Sequence, residues 1–297
     1  MKLLAALLFA LLPASLSAAS LTFVGTYIWS APLSGFGGFS ALELGPDGKK
    51  FTTVSDKGRI LGGTLQRREG RITGVKIRFF TPLHEPDGKP LNKYDTDSEG
   101  LAINSRGRAY ISFEGNHRVW RYEGPSSAAK GTGRHKDFRH FQVNSGLEAL
   151  AIDASGTLYS LPERSGDINR PFPVYRKRPG GKWQRAFTLP RRGRFLPTGA
   201  DFGPDGKLYL LERDFIWSRG FSSRVRRFDV TLGGLKNEET LLVTPFGKYD
   251  NLEGLALWKD RQGRIRLTMI SDDNFNFFQT TEFVEYALSP DDPANKN

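Results

Sequence analysis

The chain has no cysteine. Disulfides, thiolate nucleophiles and cysteine-ligated zinc are therefore excluded whatever the redox state of its surroundings, and stability has to come from a packed core. Histidine is nearly as scarce: His84, His117, His135 and His140 are the full set, and none has a metal spacing such as His-Glu-x-x-His. No Gly-x-Ser-x-Gly elbow occurs, which argues against the α/β-hydrolase route to ester cleavage. Beyond Leu12 no apolar run is long enough to cross a bilayer, and helical periodicity is sparse throughout.

What is present starts with Lys2, an apolar run from Leu3 to Leu12, and the small residues Ser17 and Ala19. This is the pattern of a cleavable secretory leader ending at Ala19. The expectation is an exported protein, periplasmic or secreted, without a stable membrane anchor and monomeric. Residues 20–290 are read as one domain, and 291–297 as a disordered tail. The net charge of +11 favours small anionic esters or an anionic glycan as partners. Nucleic acid is disfavoured, because the basic residues are dispersed rather than gathered on one helix; a merely solvated basic surface stays open.

The organising feature is a hairpin repeated five times: a short apolar strand, a Gly-containing turn, and a second apolar strand that ends in an acid. The first copy starts at Gly38-Phe39-Ser40-Ala41, turns at Pro46-Asp47-Gly48 and ends at Val54-Ser55-Asp56. The second runs from Glu99-Gly100-Leu101-Ala102 through Ser105-Arg106-Gly107 to Ser112-Phe113-Glu114. The third runs from Glu148-Ala149-Leu150-Ala151 through Ala154-Ser155-Gly156 to Leu161-Pro162-Glu163, and the fourth from Thr198-Gly199-Ala200-Asp201 through Pro204-Asp205-Gly206 to Leu210-Leu211-Glu212. The fifth runs from Glu253-Gly254-Leu255-Ala256 through Arg261-Gln262-Gly263 to Ile270-Ser271-Asp272. From Ser40 the steps to Glu99, Glu148, Thr198 and Glu253 are 59, 49, 50 and 55 residues.

Such a period in an all-β chain predicts a β-propeller of four-stranded blades. Five blades fit, and six remain open if Thr81 to Asp97 hides further strands. The last hairpin is followed by one strand only, Glu282 to Leu288, whereas Leu21 to Ile28 is an orphan strand ahead of the first. The N-terminal strand is expected to pair with the C-terminal blade and close the ring, because this removes two open sheet edges.

In a hairpin the residue before the first strand and the residue after the second share one end. The acids should therefore gather at one mouth of the channel, with Glu99, Glu148 and Glu253 inside and Asp56, Glu114, Glu163, Glu212 and Asp272 beside them. Crowded carboxylates need protons, basic side chains or a cation. Arginine can answer, since Arg164 and Arg213 directly follow two of the acids and Arg59 and Arg118 lie close after two others. A structural role in blade packing is one reading. The other is a divalent cation, with calcium expected, held by Asp56, Glu99, Glu114, Glu148, Glu253 and Asp272. The segment Arg191-Arg192-Gly193-Arg194 has the outline of an acid-phosphatase motif but lacks its nucleophile and is set aside.

The segments Asp97-Ser98-Glu99-Gly100-Leu101-Ala102, Gly146-Leu147-Glu148-Ala149-Leu150-Ala151, Leu211-Glu212-Arg213, Asn251-Leu252-Glu253-Gly254-Leu255-Ala256 and Ser271-Asp272-Asp273-Asn274-Phe275 give the chain a resemblance to the phytase-like proteins of the esterase-like activity of phytase family. The resemblance implies hydrolysis of phosphoric or carboxylic esters. It carries over no catalytic residues, and Thr198 departs from the acid pattern. The chemistry this suggests is metal-assisted, with Glu148, Glu163, Arg164, Glu212 and Arg213 as catalytic candidates and Arg118, Asp273 and Asn274 as substrate-binding candidates. A non-catalytic propeller that binds an anionic glycan or a protein at the cell envelope is the alternative.

Overall fold

The computed structural model describes residues 21–289; the expected leader and the expected tail lie outside them. Twenty strands form five four-stranded antiparallel sheets. β1 (Leu21–Ile28) comes first. The first blade is β2 (Phe39–Leu44), β3 (Lys50–Ser55), β4 (Arg59–Arg68) and β5 (Arg71–Pro82). The second is β6 (Ser98–Ile103), β7 (Ala109–Phe113), β8 (Arg118–Tyr122) and the two-residue β9 (Lys130–Gly131). The third is β10 (Leu147–Ile152), β11 (Leu158–Pro162), β12 (Phe172–Lys177) and β13 (Gln184–Leu189). The fourth is β14 (Leu196–Phe202), β15 (Leu208–Ile216), β16 (Gly220–Thr231) and β17 (Gly234–Val243). The fifth is β18 (Asn251–Lys259), β19 (Ile265–Asp272), β20 (Glu282–Leu288) and, as its outer strand, β1.

The propeller therefore has five blades, closed by the N-terminal strand: Leu21 pairs with Leu288 and Ile28 with Glu282. No sixth blade hides between Thr81 and Asp97, where the chain finishes β5 and makes only an isolated bridge between His84 and Pro90. Trp29, just past β1, stacks between Phe39 of the first blade and Phe283 of the fifth, with ring centroids 5.3 and 5.4 Å away. The closure is thus an apolar seam as well as a ladder.

Local sequence explains the hairpins. Gly48, Gly107, Gly156, Gly206 and Gly263 occupy the five inner turns with φ between 65° and 81°, a region glycine enters without steric cost. The core lies between blades, for example where Tyr209, Leu211 and Val225 meet Leu255, Met269 and Val284. Each blade's first strand packs on the first strands of its neighbours, in ring order. Gly199 shows how tight this is, since a Cβ there would stand 2.3 Å from the carbonyl oxygen of Glu253 in the next blade. Along the axis the remaining space is about 10 Å³, among Ala41, Leu101, Leu150, Gly199 and Leu255. The chemistry is confined to the ends of the channel.

Candidate active site

Every inner hairpin breaks its ladder at the same point. The register slips by one residue at Ser40, Glu148, Thr198 and Glu253, and β6 slips between Ser98 and Leu101, where Glu99 sits. A β-bulge leaves its extra residue out of the pleat and re-aims the side chain. The repeated position in the sequence is thus the bulge, and five bulges ring one mouth of the channel. Glu99, Glu148 and Glu253 are buried there.

One residue past the partner of the residue before each bulge stand Asp56, Glu114, Glu163 and Asp272. In the fourth blade that place belongs to Arg213, because Pro197 pairs with Glu212 and Gly199 with Leu211. Glu212 is one residue out of step and, by the period of two along a strand, points away from the mouth. It is fully buried, accepting hydrogen bonds from Arg224 Nε at 2.7 Å and Arg226 Nε at 2.8 Å. The expected grouping of Glu212 with the mouth acids is corrected accordingly.

Arg213 replaces an acid with a base where it is most needed. Its guanidinium donates to Glu163 Oε1 at 3.1 Å, to Asn251 Oδ1 at 2.7 Å and to Glu253 Oε1. Burial pulls its pKa down, but the carboxylates of Glu253, Glu148 and Glu163 outweigh that and raise it. Arg164 pairs with Glu163 at 3.3 Å and Lys57 with Asp56 at 3.1 Å. Glu99, Glu114, Glu148, Asp97 and Asp272 have no ion-pair partner among the described residues.

The pKa values follow from this imbalance. Burial first, and then Glu148, Asp97 and Glu253, hold Glu99 well above the carboxylate range. Burial and the neighbouring Glu114 and Glu163 do the same for Glu148. Burial raises Glu114 to about 7 against a hydrogen bond from the Gly146 amide, and burial with Glu253 nearby raises Asp272 to about 8. Asp56 and Glu253 are also raised by burial. Such a cluster binds protons or a cation at neutral pH.

A hard cation fits the donors. The carboxylate oxygens of Asp97, Glu99 and Glu114 lie within 4.8 Å of one another, and Ser40 Oγ, at the first blade's bulge, is buried without a hydrogen-bond partner. All are oxygens, as calcium or magnesium requires. Asp97 was not among the acids expected from the sequence, although it stands two residues before Glu99, because it lies outside the hairpin, just ahead of β6.

Beside the cluster opens a cleft of about 550 Å³, lined by Glu163, Arg164, Arg191, Arg194, Arg213, Asn251 and Asn274, with Phe215 and Phe221 on its wall. Arg164, a catalytic candidate from the sequence, and Asn274, a substrate-binding candidate, both line it. Arg191 and Arg194, from the segment set aside as a false motif, meet them. Arg118 does not reach the site: it is buried between the rings of Phe113 and Trp120, at 4.0 and 4.1 Å, and donates to the Asp95 carbonyl at 2.7 Å. Asp273 is spent on structure, accepting from the amide of Gly38 at 2.9 Å and from Thr281 Oγ1 at 2.9 Å.

A second carboxyl pair was not foreseen. Glu43 and Asp201 stand three residues past the bulges of the first and fourth blades, toward the other end of the channel, and accept from the amides of Ile103 at 2.9 Å and Leu257 at 2.7 Å. Burial raises both, Asp201 to about 7. A larger cavity of about 880 Å³ opens on the turn face, lined by Arg106, Arg108, Tyr110 and Arg121, away from the acid cluster.

The sequence matches the family described as phytase-like, esterase-like activity of phytase, over residues 34–275. No curated protein matches it. Among solved structures the chain is similar to an α-L-arabinofuranosidase of Podospora anserina in complex with cellotriose, with 13% identity, a TM-score of 0.52, and 92% of this chain and 98% of that chain covered. It is also similar to the catalytic domain of an α-L-arabinofuranosidase of Coprinopsis cinerea, with 13% identity, a TM-score of 0.55, and the same 92% and 98% covered. At this identity the likeness is one of fold.

Proposed function

Because the chain belongs to the phytase-like family, esterase-like activity of phytase, we propose that it hydrolyses small anionic esters, phosphoric or carboxylic, at the carboxylate mouth of the propeller. The observation that carries this reading is the junction of two opposite environments. A cluster of buried carboxyls short of counter-charge adjoins a cleft lined by guanidinium groups, and Glu163, Arg213 and Asn251 belong to both.

Arg164, more than half exposed, and Arg194 would take the anionic oxygens of the substrate, for which a guanidinium offers paired donors. Arg213 stays tied to Glu163 and Glu253 and positions the acids. Glu148, whose pKa burial and the neighbouring Glu114 and Glu163 raise well above the usual carboxylate range, would pass a proton to the leaving oxygen. Asp97, Glu99 and Glu114 would hold a divalent cation, calcium in this reading, whose chemistry is to polarise an ester oxygen and acidify bound water. The protein would act outside the cytoplasm, periplasmic or secreted, as a monomer without nucleic acid or a stable membrane anchor.

The test is release of phosphate from phytate and of nitrophenol from nitrophenyl esters, with calcium, magnesium or chelator. Activity that chelator abolishes, and that falls roughly 10²-fold or more in Glu148→Gln without loss of fold, supports the reading. Absence of turnover with every cation, together with tight binding of an acidic glycan, would replace it with a propeller that only binds.

A further inference from the structure

Large apolar side chains are exposed unevenly. Among the described residues, all of the well-exposed ones except Phe23 and Leu232 lie on loops or strand ends at the carboxylate mouth. They recur around the rim, at Tyr94 between β5 and β6, Val143 between β9 and β10, Ile168 between β11 and β12, Trp217 between β15 and β16, and Phe277 with Phe278 between β19 and β20. Trp217, Phe277 and Phe278 are 90%, 85% and 80% exposed. Cations accompany them: Lys93 lies over Tyr94 at 4.7 Å, Lys57 over Phe275 at 5.0 Å, and Arg219, two residues from Trp217, over Phe246 at 4.8 Å.

Apolar tips on separate loops make neither a groove nor a flat patch, so a rigid protein partner would need an improbable matching relief. The boundary between headgroups and acyl chains is deformable and accepts such tips singly, with aromatic rings favoured there and Lys and Arg drawn to lipid phosphates. Sugar rings would reward the aromatics but not Val143 or Ile168. We propose that the mouth face docks reversibly on a bilayer carrying anionic headgroups, with Trp217, Phe277 and Phe278 entering the interface and the neighbouring cations on its phosphates. The docking is independent of turnover and holds equally for a propeller that only binds.

The probe is sedimentation with vesicles of equal parts phosphatidylglycerol and phosphatidylcholine, against pure phosphatidylcholine, read together with tryptophan emission. Trp29, Trp183 and Trp258 are buried and Trp120 is half-buried, so a blue shift reports Trp217. Binding to the anionic vesicles with a blue shift is expected. It should weaken by roughly tenfold or more in the triple variant Trp217→Ser, Phe277→Ser, Phe278→Ser, weaken by less in Trp217→Ser alone, and persist in Leu232→Ser on the turn face. Unchanged melting temperatures confirm that these exposed sites leave the fold intact. No binding to anionic vesicles, equal loss in Leu232→Ser, or full binding by the triple variant would overturn the proposal.

Discussion

Replacing Arg213 by methionine removes the cation that holds the mouth together. The side chain donates to Glu163, Asn251 and Glu253, and both of its acidic partners are buried. Breaking a buried pair while leaving its carboxylates costs about 3–5 kcal/mol. Part of that is recovered when Glu253 takes up a proton, at about 1.4 kcal/mol per pKa unit. The native variant then binds more protons than the unfolded chain above the ordinary glutamate range, so its stability falls as pH rises, and the loss is larger at about pH 8 than at about pH 5.5. Denaturant unfolding in chelator at both pH values measures this. Adding Glu253→Gln to the variant should return about 1–2 kcal/mol by removing an uncompensated charge. The same substitution should rescue nothing in Glu212→Gln, whose partners are Arg224 and Arg226. A loss under about 1 kcal/mol for Arg213→Met, or no rescue by Glu253→Gln, would refute the placement of Arg213 in the ring.

At the other end of the channel, Asp201 has its folded pKa raised from 3.8 to about 7, so its contribution is fully present below pH 4 and lost as pH rises through 7. Asp201→Asn should flatten that part of the stability profile measured by urea midpoints, and an unchanged slope would contradict it. Gly199→Ala should cost about 3 kcal/mol in denaturant unfolding, because its Cβ meets the Glu253 carbonyl at 2.3 Å; a neutral outcome would mean that the inner strands are looser than described. Deleting residues 21–28 should leave β20 as an open edge and cause aggregation visible by light scattering, whereas a monomer with unaltered melting would deny the closure.

The fold was legible because its repeat obeys simple rules. Five turn glycines, five apolar hairpins, one orphan strand at the start and a last blade short of one strand fitted five blades and the pairing of Leu21–Ile28 with Glu282–Leu288. The site was legible only in part. In four hairpins the acid follows the partner of the residue before the bulge, but in the fourth Glu212 is itself that partner and Arg213 takes the mouth position. Sequence shows an acid at a strand end, and a shift of one residue changes which face it takes. The Glu43–Asp201 pair was missed for a related reason, since the amides it accepts from, those of Ile103 and Leu257, belong to neighbouring blades. Arg118 read as a mouth cation by proximity to Glu114, yet the aromatic pair Phe113 and Trp120 draws it into the blade.

The central claim is that Asp97, Glu99 and Glu114 of the second blade hold one cation at the mouth where acids of the neighbouring blades crowd against them. A crystal structure of the protein grown with calcium tests it most directly. The account predicts an ion bound by Asp97, Glu99 and Glu114, with Glu148 beside it and Arg213 bridging Glu163 and Glu253. A mouth without an ion at saturating calcium, its carboxyls paired only with one another, would contradict it.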